Sequence, residues 1–189
     1  MHWSLNLLNK IPKFLINNFC MSNTTISDYH SKAINDYGLS AIWPEEVLIE
    51  SKVIEDKFTD DVHELEKFPF ITIDGEDAKD FDDAIYCSAT NDGFHLKVAI
   101  ADVSHYVKEG SSIIKEASKR TTSVYFPQKV VPMLPENLSN ELCSLQPNKR
   151  RRALCVEIDF DKDGIINKYQ FKRGIIKSSA RLTYAQVEK

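Results

Sequence analysis

Six carboxylates crowd the ten residues from Asp74 to Asp83, against one positive charge on Lys79. The stretch lies between two apolar runs, 68–73 and 84–87, which favour burial. Like charges held near a protein core repel each other unless a cation lies among them. Because carboxylate oxygens are hard ligands, such a stretch selects Mg²⁺ or Mn²⁺ over Zn²⁺. It therefore predicts a divalent-cation site, with a solvated acidic turn as the alternative. The six acids are Asp74, Glu76, Asp77, Asp80, Asp82 and Asp83.

The aspartates of this stretch can meet only if the chain bends. In an extended chain Asp80 and Asp82 share one face, while Asp83 points to the other. A turn closed by Gly75, with Phe81 as an apolar anchor, would bring them together. Carboxylates around divalent ions activate water and stabilise the in-line displacement of a phosphoryl group. The chemistry that this stretch predicts is therefore hydrolysis of nucleic acid.

Other candidate sites are weaker. The acidic pattern from Asp159 to Gly164 resembles a calcium-binding loop, but Gln170 stands where that loop needs Glu and both flanks are strand-like. An Asp-Gly hairpin turn explains the same residues. The five histidines are scattered, and no serine or cysteine has a neighbouring base, so covalent catalysis fits poorly.

Two further features bear on nucleic-acid binding. A basic run from Lys149 to Arg152 predicts either phosphate contacts or a solvated loop, and both interpretations stay open. Tyr125 is a core residue by default, but an exposed aromatic ring here would stack on a base. Further basic residues follow the run at Lys172, Arg173, Lys177 and Arg181.

The elements that must position these residues are mostly strands. Apolar alternation predicts strands at 70–74, 84–89, 94–100, 153–160 and 165–171, and helical spacing predicts a helix at 111–120. Asn91 to Gly93 indicates a hairpin turn. The proline-rich segment 123–147 predicts a winding loop packed on the core, and residues 23–66 a lead-in with one or two short helices. Together these elements predict an α+β protein with a mixed sheet and flanking helices.

Composition sets the broad class. A chain of 189 residues with 42% hydrophobic content can bury one core, and a net charge of −4 argues against binding nucleic acid by bulk charge. The cysteines at 20, 87, 143 and 155 form no C-x-x-C pair and indicate reduced thiols in a cytoplasm. Residues 1–20 are apolar, but Lys10, Pro12 and Lys13 interrupt them, so they predict neither a membrane span nor a secretory signal.

Three blocks closely resemble the catalytic domain of the ribonuclease II/ribonuclease R family, and its ribonuclease R members most. They read ITIDGEDAKDFDDAI, VAIADVSHYV and SVYFPQKVVPMLPENLSNELCSL, in the family's order and spacing. The resemblance runs from about Trp43 to Lys189. It implies Mg²⁺-dependent hydrolysis, with Mn²⁺ as a substitute, of single-stranded RNA from its 3′ end to nucleoside 5′-monophosphates.

The resemblance also implies residue roles. It places the family's metal-site aspartates on Asp74, Asp80, Asp82 and Asp83, with Asp82 the one most closely tied to the chemical step. It places the tyrosine that stacks on the 3′-terminal nucleotide on Tyr125. One departure is Arg150-Arg151, where the family usually reads Asp-Arg.

Parts of the family's architecture have no counterpart in this sequence. These are OB-type RNA-binding domains and a second half of the catalytic domain with another stacking aromatic, a Glu and an Arg. The resemblance therefore implies a partly disordered lead-in at 1–42 and a partial catalytic domain at 43–189, truncated on its C-terminal side. Two hypotheses follow: a cytoplasmic exoribonuclease, active alone or with the missing half as a separate chain and without a membrane partner, or a non-catalytic remnant that binds RNA or metal.

Overall fold

Alternating side chains between residues 71 and 101 build the centre of a mixed sheet. The computed structural model describes residues 25–58 and 63–188, and within those ranges the sheet has seven strands. They are β1 (His63–Glu64), β2 (Ile71–Asp74), β3 (Asp83–Ala89), β4 (Gly93–Ala101), β7 (Arg150–Asp161), β8 (Ile166–Lys177) and β9 (Ala180–Thr183), in the spatial order β1-β8-β7-β4-β3-β2-β9. β1 runs parallel to β8 and β9 parallel to β2, whereas the remaining neighbours are antiparallel. The predicted mixed sheet is confirmed.

One face of the sheet is buried and the other is open. Ala84, Ala99 and Cys155 form a row across β3, β4 and β7 on the buried face. The next row, Ile85, Val98, Val156 and Phe171, belongs to the opposite face. We call this second surface the open sheet face; its exposed members include Phe94, Ile100, Leu154, Tyr169 and Phe171.

The buried face packs on helices and on the proline-rich segment. The helices of this larger unit, which covers 40–58, 63–125 and 130–188, are α2 (Glu45–Lys52), α3 (Val103–Tyr106), α4 (Ser112–Arg120) and α5 (Tyr184–Val187). The predicted helix at 111–120 is confirmed, and its cap Ser111 accepts a hydrogen bond from the Ile114 amide at 3.1 Å. Leu138 and Leu145, both fully buried, confirm that the proline-rich segment packs on the core.

The proline-rich segment is more regular than the winding loop that the sequence predicts. It contains a two-stranded hairpin, β5 (Val124–Phe126) and β6 (Lys129–Val131), and a π-helical turn at Asn137–Leu142. β7 also begins earlier than predicted, at Arg150, and the charges of Arg150 and Arg152 in its first residues are paired with Glu66 and Asp56. The basic run is therefore mostly strand rather than loop.

A smaller unit comprises 25–39 and 126–129. It holds the helix Ile26–Asp36, which we call α1, capped by Thr25 and Asp28 in a reciprocal capping box. The His30 ring lies 5.2 Å from that of Phe126. The helices at Ile26–Asp36 and Glu45–Lys52 confirm the short helices predicted for residues 23–66, while residues 1–24 and 59–62 lie outside the described residues.

Both predicted hairpin turns are present. Residues 90–92 connect β3 to β4, and Gly93 has no room for a side chain, because a Cβ atom there would lie 1.9 Å from the Phe160 carbonyl oxygen. Asp161 closes the second turn by accepting hydrogen bonds from the amides of Asp163 and Ile165, each at 2.9 Å. The acidic pattern at 159–164 is therefore a hairpin turn. Within the described ranges, no helix is long and apolar enough to cross a membrane.

Candidate active site

The acidic stretch forms a loop held at both ends by the sheet. Asp74 ends β2 and Asp83 begins β3, so the loop joins two neighbouring strands. Its Gly75 carbonyl accepts from the Ala78 amide at 3.2 Å, as expected for a turn closed at Gly75. Phe81 is only 7% exposed and packs in the core. The predicted bend with Phe81 as its anchor is confirmed.

A single buried serine stitches the loop to the proline-rich segment. The Ser144 hydroxyl donates to the Lys79 carbonyl at 2.7 Å and accepts from the Phe81 amide at 3.1 Å. The next residue, Leu145, donates its amide to the Phe81 carbonyl at 2.8 Å. The backbone on either side of Asp80 is therefore fixed by residues more than sixty positions away.

Arg181 holds the other end of the loop. This residue of β9 donates to the Gly75 carbonyl at 2.7 Å and also to the Glu76 carbonyl. Its guanidinium carbon lies 5.4 Å from the centre of the Phe81 ring. The sequence suggests phosphate contact for this arginine, but the structure commits it to the backbone of the acidic loop. Nothing local in the sequence signals this role, because Arg181 reaches Gly75 across 106 residues of sequence, from a strand that pairs with β2.

The loop places Asp82 close to the negative charges of the other aspartates. Its side chain is exposed at the surface. Partial desolvation by the surrounding protein, together with the charges of Asp80, Asp83 and Asp74, raises its pKa. The four sequence-predicted aspartates therefore share one electrostatic field.

The four aspartates do not form a preassembled ligand cage. Among the described residues, no three His, Cys, Asp or Glu side chains are grouped so that they could hold a metal ion. Asp74 instead accepts from the Gly75 amide at 2.7 Å. The donor set suits a hard divalent cation, because it consists of carboxylates that repel each other in one field. Charge and donor type thus fit such an ion, and the predicted roles of the four aspartates stay predictions.

Tyr125 stands beside the acidic loop. Its side chain is 62% exposed, so it is not the core residue that an aromatic side chain suggests by default. Its hydroxyl donates to Asp80 Oδ2 at 2.5 Å. This hydrogen bond, with partial burial and the Asp80 charge, raises the pKa of Tyr125 to about 12. The ring is thus available for stacking within reach of the carboxylates, although its role in RNA binding stays a prediction.

Cys143 lies close enough to Asp82 to feel its charge. Burial and the Asp82 carboxylate raise the pKa of the Cys143 thiol to about 12. The thiol is therefore neutral at physiological pH and is no activated nucleophile. Cys87, Cys143 and Cys155 are free thiols.

The basic run is occupied by internal partners. Arg151 donates to the Ser144 carbonyl at 2.8 Å, and burial lowers its pKa. Arg152 pairs with buried Asp56 at 3.0 Å. The others in the run pair as Lys149 with Glu141, and Arg150 with Glu64 and Glu66. Arg150 and Arg151, where the sequence departs from the family's usual Asp-Arg, therefore link β7 to neighbouring segments. Their hydrogen-bonding groups have partners within the protein.

The fold and the acidic loop define a class of protein that comparison with known sequences identifies. The RNB domain family matches residues 62–189, and the chain belongs to that family. Ribonuclease R of Acidithiobacillus ferrooxidans is 46% identical over 159 residues, which cover 82% of this chain and 36% of that protein. Ribonuclease R of Mycoplasmopsis pulmonis is 50% identical over 161 residues, covering 83% of this chain and 21% of that protein. The chain thus spans about a third or less of the length of these relatives.

Solved structures share the fold. Mycoplasma genitalium RNase R in complex with double-stranded RNA superposes with a TM-score of 0.84 and 37% identity, covering 88% of this chain and 30% of that one. Yeast Ssd1, described as a pseudonuclease, matches with a TM-score of 0.58 and 28% identity over 64% of this chain and 15% of that one. The fold therefore occurs in proteins with and without nuclease function.

Proposed function

We propose that this chain provides the acidic part of the active site of an exoribonuclease that degrades single-stranded RNA in the 3′ to 5′ direction with Mg²⁺. Nucleoside 5′-monophosphates are the products. The observation that supports this best is the acidic loop, in which desolvation and three neighbouring aspartates raise the pKa of Asp82, beside an exposed aromatic ring. Membership in the RNB family and likeness to ribonuclease R support the same reaction.

Each residue has a defined part in this proposal. Asp74, Asp80, Asp82 and Asp83 hold Mg²⁺, or Mn²⁺ in its place, with Asp82 closest to the chemical step. Bound divalent ions in such a site lower the pKa of water and offset the charge that develops on the phosphate. Tyr125 stacks on the 3′-terminal base. Its ring is exposed, and its hydroxyl lies 2.5 Å from Asp80 Oδ2, which places the ring beside the proposed metal ligands. Ser144 and Arg181 keep the loop in shape.

The open sheet face is a suitable surface for the parts of the relatives that this chain does not match. The open sheet face exposes Ile100, Leu154 and Phe171, a surface that soluble proteins normally cover. A polypeptide segment equivalent to the second half of the catalytic domain covers that face in our proposal and completes the site. The free thiols agree with the cytoplasmic location proposed for such an assembly.

A second candidate function is a non-catalytic protein that binds RNA or metal without turnover. Two observations favour it: the likeness to the pseudonuclease Ssd1, and the absence of a preassembled ligand group in the described ranges. We therefore expect the isolated chain to be slow, because part of the electrostatic complement of the transition state comes from elsewhere.

Product release from a single-stranded oligoribonucleotide separates the two candidates. The 189-residue chain is incubated with Mg²⁺ or with a chelator, and nucleoside 5′-monophosphates are quantified by chromatography. We expect slow release that the chelator stops and that Asp82→Asn abolishes. Asp77→Asn is the matched control, since it removes the same charge from the same loop at a residue with no proposed ligand role. Equal rates for the wild type and Asp82→Asn would contradict the nuclease and favour the non-catalytic candidate.

A further inference from the structure

One hydrogen bond joins the aromatic side chain at the acidic loop to one of its carboxylates. The Tyr125 hydroxyl donates to Asp80 Oδ2 at 2.5 Å, across 45 residues of sequence. The Tyr125 side chain is otherwise largely exposed, at 62%. The hydroxyl is therefore the part of this side chain that is committed to the protein, while much of the ring faces solvent.

The hairpin that bears Tyr125 is fixed at its base. The Met133 amide donates to the Ser123 hydroxyl at 2.9 Å, and Arg120 donates to the Pro132 carbonyl at 3.1 Å. Arg120 itself stacks over the Trp43 ring at 3.6 Å. Because both ends of the hairpin are tied down, the Tyr125 hydroxyl meets Asp80 from a defined direction.

A donor on one carboxylate oxygen leaves room for a cation on the other. A carboxylate offers about four acceptor positions, so the bond to Oδ2 leaves Oδ1 and one position on Oδ2 available. Hydrogen bonds of this kind orient a ligand carboxylate and limit its rotation. The Asp80 carboxylate is therefore restrained by the Tyr125 hydroxyl, whereas Asp82 is exposed at the surface.

The geometry points to Tyr125 as a positioning residue for the cation site, through its hydroxyl and separately from any stacking by its ring. This inference rests on the proposed function, because it takes Asp80 as a ligand of the divalent ion. It deepens that function by coupling the side chain proposed to bind the RNA end to the carboxylate proposed to bind the ion. The ring and the hydroxyl then have separate tasks, which Tyr125→Phe divides.

Binding of Mn²⁺ alone tests this inference without catalysis. Titration calorimetry compares the wild-type chain with Tyr125→Phe, which retains the ring, and with Tyr169→Phe, which removes a hydroxyl from an equally exposed tyrosine on the open sheet face. Loss of an outer hydrogen-bond partner typically weakens metal binding about 10- to 100-fold. We expect a loss in that range for Tyr125→Phe, no change for Tyr169→Phe, and a loss at least as large for Asp80→Asn.

Two further measurements keep a general structural effect apart from positioning. The thermal midpoint of Tyr125→Phe should equal that of Tyr169→Phe, and its affinity for a single-stranded oligonucleotide in the absence of divalent ions should equal that of the wild type. Unchanged Mn²⁺ affinity in Tyr125→Phe, or no saturable Mn²⁺ binding by the wild type, overturns the inference. Product release is scored independently, so a nuclease whose Mn²⁺ affinity ignores the hydroxyl refutes only this inference.

Discussion

Glu157 is a buried acid that two lysines neutralise together. Its Oε1 pairs with Lys97, itself only 3% exposed, and its Oε2 accepts from both Lys172 and Gln170, each at 2.6 Å. Burial alone would raise the pKa of Glu157, but the hydrogen bonds from Lys172 and Lys97 outweigh it and lower the pKa to about 2. Lys97 also lies 4.2 Å from the centre of the Phe68 ring. The cluster thus connects β4, β7 and β8 through charge on the buried side of the sheet.

The pH dependence of stability follows from that lowered pKa. A carboxyl with a lower pKa in the folded state stabilises the fold above its unfolded pKa, near 4.5, and this contribution is lost as the pH falls toward 2. Glu157→Gln should cost about 3–5 kcal/mol of unfolding free energy at pH 7, because it leaves buried Lys97 without its counterion. It should also flatten the loss of stability between pH 4.5 and 2. Urea denaturation at about pH 7 and about pH 3 measures both effects.

Lys172→Met serves as the milder companion variant. Lys172 is the more exposed of the two lysines, so its removal should cost less and leave Lys97 paired with Glu157. If Glu157→Gln and Lys172→Met lose the same small free energy at neutral pH, the buried pair does not stabilise the fold as described.

The elements around the acidic loop illustrate what a sequence can predict. Local alternation and turn residues predict β2, β3 and β4, the helix at 111–120 and the burial of Phe81, because each depends on neighbours in the chain. The roles of Ser144 and Arg181 have no such local signal, since both depend on contacts across more than sixty residues. The early start of β7 also has no local signal, because a run of arginines in a sequence is typical of a solvated loop. Only the structure shows that Asp56 and Glu66 pair with them.

At the scale of elements, Arg181→Lys tests whether β9 shapes the acidic loop. Lysine keeps the charge but lacks the planar fork that reaches two carbonyls at once. We expect amide hydrogen exchange within residues 75–80 to accelerate at least about tenfold, the equivalent of one hydrogen bond of about 1.4 kcal/mol. Mass spectrometry of peptides that span the loop measures the rate.

The control for this variant is Arg173→Lys. Arg173 lies in β8, and its partners are the side chains of Asp102 and Ser104 rather than the carbonyls of Gly75 and Glu76. Equal exchange rates at 75–80 in both variants would mean that Arg181 does not restrain the loop.

At the scale of the molecule, only one face of the sheet is covered by other elements. Its buried face covers a continuous core, whereas the open sheet face presents large apolar side chains such as Tyr169 and Phe171, each 64% exposed. Such a surface is typical of an interface. It fits a chain that matches only a fraction of the length of its relatives.

The open sheet face should therefore make the isolated chain associate with itself as concentration rises. Phe171→Thr retains a residue that favours strands but removes the apolar ring, so we expect weaker association in sedimentation velocity. Val53→Thr, at a 74% exposed position outside the sheet, should associate like the wild type. Identical association by both variants would exclude this face as the contact surface.

The hydrogen bond from Arg181 to the Gly75 carbonyl also determines when, during synthesis, the acidic loop can reach its final structure. The two residues are 106 positions apart, so at about 5–20 residues per second the ribosome releases the arginine roughly 5–20 s after the glycine. Throughout that interval the acidic stretch has been synthesised but lacks its hydrogen bonds from Arg181. The negatively charged loop is therefore completed only after β9 has been made, when β2, β3, β4, β7 and β8 already exist.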